Sequence, residues 1–311
     1  MDLKQLEYFV HVAELGSFTK AAALLSVAQP ALSRQVRSLE VELKQTLLLR
    51  NGRGVSPTEA GKRLLAHGRG ILQQVERARA ELEDVKGAPV GRVAIGVPPS
   101  VGKMLTVPLV AAFQARLPRA ALGIVEGLTT YVTEWLLTGR VDLALLYNPV
   151  PSPALDIIPL LEEQLYLIGA APRTAARRSG VRLRELPQYP LIIPSRPNAF
   201  RMQVETVLAN LGLKAHVALE IDGVPAILDL VHQGYGHAVL PLNAVRADNL
   251  RRTFDARPIV EPRLRTVLAL AISAQRPTTP LVRRTLELIK QLGPGLLRAP
   301  DGPPARRRGP R

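Results

Sequence analysis

The sequence predicts a mixed α/β chain made of an N-terminal winged helix-turn-helix, a long connecting helix and a larger α/β module. Three observations predict it. Residues 1–58 hold three apolar runs at helical spacing and then a glycine-bearing hairpin pattern; residues 59–86 keep an apolar repeat of seven; beyond residue 91, short β-type runs alternate with helical segments.

At 311 residues the chain exceeds one ordinary core and suits two or three domains. Hydrophobic residues at 47% against 22% charged describe a chain most of which folds. The absence of cysteine excludes a disulfide scaffold, a thiolate metal site and a cysteine nucleophile, and suits a reducing compartment. The opening MDLKQLEYFVHVAELGSF carries acids and lacks the pattern of a signal peptide, and no apolar stretch is long enough to span a bilayer. A cytoplasmic location without a membrane partner is therefore expected. The net charge of +15 invites a nucleic-acid reading, but its distribution does not locate one. Residues 1–60 hold seven Lys/Arg against six Asp/Glu, whereas residues 298–311 hold five Arg against Asp301.

Leu3, Leu6, Phe9, Val10 and Ala13 predict an amphipathic helix ending near Gly16. Ser17 suits the cap of a second helix over 18–25, whose Ala21, Ala22 and Ala23 permit close helix approach. Gln29 and Pro30 open a third, with Pro30 placed at its first position. Leu32, Val36, Leu39 and Leu43 form its packing stripe, while Pro30, Ser33, Arg34 and Arg37 share another face. Two short helices with such a face near the start of the second suit the major groove, where Gln pairs with adenine, Arg with guanine and Ser with bases or phosphate. A plain solvated face is the competing reading for Arg34 and Arg37. Residues 47–55, with Asn51-Gly52 as the turn, then read as a hairpin wing carrying Arg50 and Arg53 towards phosphates or the minor groove.

The run FVHVAELGSFTKAAALLSVAQPALSRQVRSLEVEL, followed by LLLRNGRGVSPTEAG, resembles the N-terminal domain of LysR-type transcriptional regulators almost position by position. It departs at Leu48, where the family usually places Phe. The resemblance implies base or backbone contacts to double-stranded DNA by Gln29, Pro30, Ser33, Arg34 and Arg37, with Arg50 and Arg53 on the wing.

Ser56-Pro57-Thr58-Glu59 predicts a capping box and a helix start. Leu64, Ile71, Ala78 and Val85 repeat every seven residues, interleaved by Gly68, Val75 and Leu82, a seam left unsatisfied in a monomer. It resembles the family's dimerising linker helix, which implies a homodimer and, by the family's habit, a dimer of dimers. Residues 87–91, GAPVG, read as a hinge.

Apolar runs at 93–97, 122–125, 143–147, 165–168, 191–193, 238–240 and 268–272 predict largely parallel sheets, with a ligand site at the strands' carboxyl ends. Polar junctions at 98–100, 127–130 and 195–198 place helix N-termini there, which favours a carboxylate, reinforced by Arg196; helix capping is the alternative role for Ser100, Thr129 and Asn198. Residues 92–292 also resemble the LysR-type effector-binding domain, a two-lobed fold like that of periplasmic binding proteins, most clearly in VHQGYGHAVLP. That implies a first lobe of 92–161 plus 268–292, a second of 162–267, and an interlobe cleft lined by Ser100, Thr129, Asn148, Arg196, Asn198 and Phe200. AIGVPPS and VEGLTTYVTEWLLTGRVDLALLYNP look closest to members of the nitrogen assimilation control type. Such members raise the alternative of a regulator acting without an effector, governed by its own abundance. Residues 293–311 are expected to form a disordered basic tail.

Nucleotide and metal-hydrolase motifs are missing, the five histidines lack ligand spacing, and Pro98 replaces the glycine that a nucleophile elbow needs two residues before Ser100. No catalytic residue, metal or cofactor is expected. A ligand-responsive DNA-binding regulator is favoured over a module whose N-terminal helices only oligomerise, and over an α/β enzyme with an appended dimerisation domain.

Overall fold

The computed structural model describes residues 1–51, 54–83, 90–171, 180–245 and 254–297, without the side chains of 80–83. Arg53, Val85, most of the expected hinge and the tail from residue 298 lie outside the described residues, as does the side chain of Leu82.

Helix α1 (Leu3–Leu15) begins with a reciprocal cap: Gln5 N donates to Asp2 Oδ1 at 2.7 Å, and Asp2 N donates to Gln5 Oε1 at 3.1 Å. Gly16 ends it with φ 62°, in the left-handed region that glycine enters freely. Ser17 caps α2 (Phe18–Leu24) through Lys20 N, and Ala28 precedes α3 (Gln29–Leu43). Pro30 is thus the second helical residue rather than the first; its missing N–H still falls among the donors that have no intrahelical partner. Leu32, Val36 and Leu39 are buried as the spacing requires, against Phe9, Val12, Phe18, Ala21 and Ala22.

Strands β1 (Leu48–Asn51) and β2 (Gly54–Pro57) form the wing, pairing Asn51 with Gly54. Asn51 is therefore a strand residue and not the turn residue that the Asn-Gly dipeptide suggested. Pro57 is held in this hairpin opposite Leu48, so the next helix is capped by Thr58 instead of the Ser56 box: Gly61 N donates to Thr58 Oγ1 at 3.0 Å. Leu48 itself is buried in the head core.

Helix α4 (Glu59–Glu83) does not stand free. A Cβ on Gly68 would sit 3.0 Å from Leu6 Cδ1 and Val10 Cγ2, and Leu64, Leu65 and Leu72 join the head core. Part of the heptad seam is thus spent within the chain, while Ile71 stays 39% exposed.

The α/β module follows in the order β3 (Gly91–Val97), α5 (Pro99–Arg116), β4 (Ala120–Glu126), α6 (Thr129–Thr138), β5 (Leu143–Tyr147) and β6 (Leu155–Ala170). Then come β7 (Val181–Arg182), β8 (Leu191–Ile193), α7 (Ala199–Ala209), β9 (Val217–Glu220), α8 (Val224–His232), β10 (Ala238–Pro241), β11 (Phe254–Val260), β12 (Arg265–Ser273) and α9 (Pro280–Leu297). The sheet order is β4-β3-β5-β12-β6-β11-β7, with β10 also on β6. Pairs β3–β4, β3–β5, β8–β9 and β7–β11 are parallel, but every pairing of β6 and β12 is antiparallel, which corrects the expectation of largely parallel sheets. Both long strands cross between the lobes. The first half of β6 pairs with β12 and its second half with β10 and β11, a 16-residue strand of which only 165–168 was legible.

Helix α9 runs past the expected tail boundary to Leu297, which is buried, while Gly293 packs on Leu160. Burial of this last turn outweighs the helix-breaking preference of Pro294. Among the described residues no helix is long and apolar enough to cross a membrane.

Candidate nucleic-acid interface and interlobe cleft

The recognition surface follows from how α3 is seated. With Leu32, Val36 and Leu39 inward, Arg34 and Arg37 must face outward; both are exposed, and among the described residues neither has a hydrogen-bond or ion-pair partner. Pro30 is exposed beside them, with Gln29 and Ser33 half-buried at the leading end. The connection over 25–28 turns through Ser26 at φ 54°. Arg50 differs from the sequence picture of a simple phosphate arm. Its guanidinium lies 4.4 Å from the Phe18 ring centroid and donates to Ser33 Oγ at 3.0 Å, so the wing is tied to α2 and α3.

Sequence reasoning missed the residue that sets the wing angle. Glu40, on α3, accepts from Leu47 N at 2.8 Å and Leu48 N at 3.1 Å. A glutamate on a helix surface carries no local sign of this role. At the far end Val55 N donates to Gly16 O at 2.9 Å, and Gly54, at φ 142°, leaves no room for a Cβ, which would lie 2.8 Å from that same oxygen.

In the α/β module, β12 pairs Leu268 with both Tyr147 and Leu161, and Thr266 with Glu163. Partners across a ladder share a face, so Tyr147 and Glu163 meet there, Tyr147 OH donating to Glu163 Oε2 at 3.4 Å. Burial pushes the Glu163 carboxyl up to about 7, which the neighbouring Asn243 amide and the Tyr147 hydroxyl only partly offset. Burial, and then the Glu163 charge, push the Tyr147 phenol upward. Ser100, at the start of α5, neighbours this phenol. The ring of Phe200 stands 4.7 Å from that of Tyr147.

The other expected cleft residues have structural duties here. Thr129 Oγ1 accepts from Tyr147 N at 3.2 Å. Asn148, at φ 46°, accepts from Val267 N at 2.8 Å and donates through Nδ2 to Gln203 Oε1 at 3.0 Å, linking the lobes. Asn198 caps α7 through Phe200 N and Arg201 N, which is the capping alternative. Arg196, 65% exposed at its side chain, pairs with Glu205 at 2.9 Å. Tyr147, Glu163, Gln203 and Asn243 were not anticipated. Tyr147 could have been, as a polar tip closing an apolar strand, whereas Glu163 lies in a Glu-Glu-Gln break between β-type runs and had no pattern to reveal it.

An exposed, unpaired arginine face on a seated helix, a wing beside it and two lobes joined by crossover strands define a DNA-binding transcriptional regulator with an effector-binding domain. Residues 3–62 match the family described as bacterial regulatory helix-turn-helix protein, lysR family, and residues 86–294 match the LysR substrate binding domain. The chain belongs to the LysR family of transcriptional regulators. It is 35% identical over 294 residues to the nitrogen assimilation regulatory protein nac of Klebsiella aerogenes, covering 94% of this chain and 95% of that one. Against the protein of the same name in Escherichia coli (strain K12) the figure is 34% over 290 residues, 93% and 94% of the two chains. Among solved structures, a full-length OxyR point variant from Pseudomonas aeruginosa superposes with a TM-score of 0.69 at 25% identity, covering 94% of each chain. CbnR, a LysR family regulator, gives 0.68 at 24%, covering 94% of this chain and 99% of that one. The named relatives are regulators and the fold is a regulator fold, not an enzyme's.

Proposed function

We propose that the head reads double-stranded DNA sequence-specifically through α3. In this reading Arg34 and Arg37 meet base edges, Gln29, Pro30 and Ser33 meet bases or backbone at the leading end, and Arg50 and Arg53 serve the wing. The carrying observation is that Arg34 and Arg37 are the outward counterpart of a fully buried leucine-valine stripe and spend no charge on the protein itself. Footprinting with Arg34→Ala tests it: operator discrimination falls by about 1–3 kcal/mol, the value of one bidentate base contact, with folding and assembly intact. Unchanged specificity defeats the assignment.

The protein acts as a dimer and, on DNA, as a dimer of dimers. Supporting this is an open groove of about 1070 Å³ whose apolar lining includes Leu3, Val10, Leu72, Val75 and Leu281 and which suits the connecting helix of a second copy. A monomeric sedimentation coefficient at micromolar concentration would exclude it.

The lobes sense a small carboxylate between them. Helices α5 and α6 both begin without a side-chain cap near Ser100 and Thr129, which leaves N–H groups for an anion, and a protonated Glu163 can donate to it. The rival reading, effector-free action set by abundance, is favoured by a specific observation: the Asn148–Gln203 bond and the Tyr147–Phe200 contact already join the cleft walls. Calorimetric titration with small mono- and dicarboxylates separates the two. Binding with proton uptake near neutral pH supports the sensor, and silence across the set supports the rival.

A further inference from the structure

We propose that Asp142 is a positioning residue for the DNA-reading head: with Arg77, Gln73 and Gly70 it clamps the connecting helix to the first lobe, so that head and first lobe move as one body. Helix α4 has two packing faces. Leu65, Gly68 and Leu72, at i, i+3 and i+7, serve the head, while Gly70, Gln73 and Arg77 repeat the same spacing towards the first lobe.

The second face is closely fitted. Arg77 Nε lies 2.6 Å from Asp142 Oδ1, with only 11% and 3% of the two side chains exposed, and Gln73 Nε2 donates to Asp142 Oδ2 at 3.2 Å. Arg77 Nη2 also donates to Gly139 O at 3.0 Å, at the end of α6. A Cβ on Gly70 would lie 1.8 Å from Thr138 O, so the helix backbone rests directly on that carbonyl. Asp142 is fixed in turn from within the lobe: its Oδ2 accepts from Ala94 N, and its own N donates to Ala94 O, both at 2.7 Å. Burial raises the Asp142 carboxyl and the nearby Arg77 charge lowers it, as for an ion pair held out of water. On the other side Arg69 Nε pairs with Glu14 at 2.6 Å, completing a path from α1 through α4 to β5.

The consequence is mechanical. A change in lobe closure reaches α3 through a rigid beam, and the angle of the beam fixes where each head meets DNA in a dimer.

The absence of cysteine makes the test direct. Exposed Lys20 on α2 and Tyr131 on α6 are replaced (Lys20→Cys, Tyr131→Cys), spin-labelled, and diluted into excess unlabelled full-length chain for distance measurement by pulsed electron resonance. The parent gives one narrow distance. Asp142→Asn keeps an acceptor for Ala94 N but removes the charge, and Gly70→Ala improves helix propensity while obstructing the dock. Both are expected to lose the single narrow peak. A second label pair within the first lobe (Val107→Cys with Tyr131→Cys) reports lobe integrity and keeps its parent distance. Should Asp142→Asn disturb that internal pair, Gly70→Ala alone decides. A broad parent distribution, or a Gly70→Ala variant with the parent's narrow peak, overturns the proposal. Since neither DNA nor effector is used, the result is independent of the functional reading above.

Discussion

Replacing Glu163 by glutamine isolates the cost of a carboxyl buried beneath Tyr147. With its pKa raised from 4.5 to about 7, the folded protein keeps this proton in a range where the unfolded chain has released it. Below pH 4.5 both states are protonated and the group costs nothing. Between 4.5 and about 7 the unfolded state gains, at up to about 1.4 kcal/mol per pH unit, and above about 7 the penalty is complete at about 3 kcal/mol. A glutamine at this position has nearly the same shape and no charge, so Glu163→Gln removes the slope. Urea unfolding followed by fluorescence of the single tryptophan, Trp135 on α6, from pH 5 to pH 9 reads the difference. Parent and variant should be close at pH 5 and diverge with rising pH, the variant becoming more stable. Parallel profiles would refute the reasoning, because Asp142 and every other titrating group is common to both proteins and cancels.

Other expectations concern the head. Glu40→Ala strands the backbone donors of Leu47 and Leu48 and should cost about 1–3 kcal/mol in head stability, with weaker DNA binding at every sequence rather than relaxed specificity; thermal melting and competition binding check it. Gly54→Ala places a Cβ against Gly16 O at a φ that suits only glycine, and should lower head stability by about 1–3 kcal/mol. An unchanged melting temperature would show that the wing is not pinned there. Raising salt should weaken parent DNA binding along a log–log line whose slope shrinks in Arg50→Ala if that wing arginine reaches phosphate; an equal slope would leave Arg50 only its contacts with Phe18 and Ser33.

What the sequence determined by itself was everything written in short-range periodicity. The helices of the head follow from apolar spacing, the cap at Ser17 and the stop at Gly16, and the outward arginines of α3 follow from its inward leucines. The short strands 93–97, 143–147 and 238–240 were equally plain, since β-branched and leucine runs buried on both sides need no partner to be recognised. Tertiary structure decided whatever depends on a partner far along the chain. Strand β6 hides its first half because Glu162, Glu163 and Gln164 interrupt the pattern, and only β12, about a hundred residues later, makes that half a strand. The wing register is set by Gly16 and Glu40, not by the Asn-Gly turn signal. Gly70 reads locally as a weak spot in a helix and becomes a docking point only against Thr138. Local preferences amount to tenths of a kcal/mol per residue, whereas an unpartnered buried charge or carbonyl costs several times more, so the long-range contact prevails where the two compete.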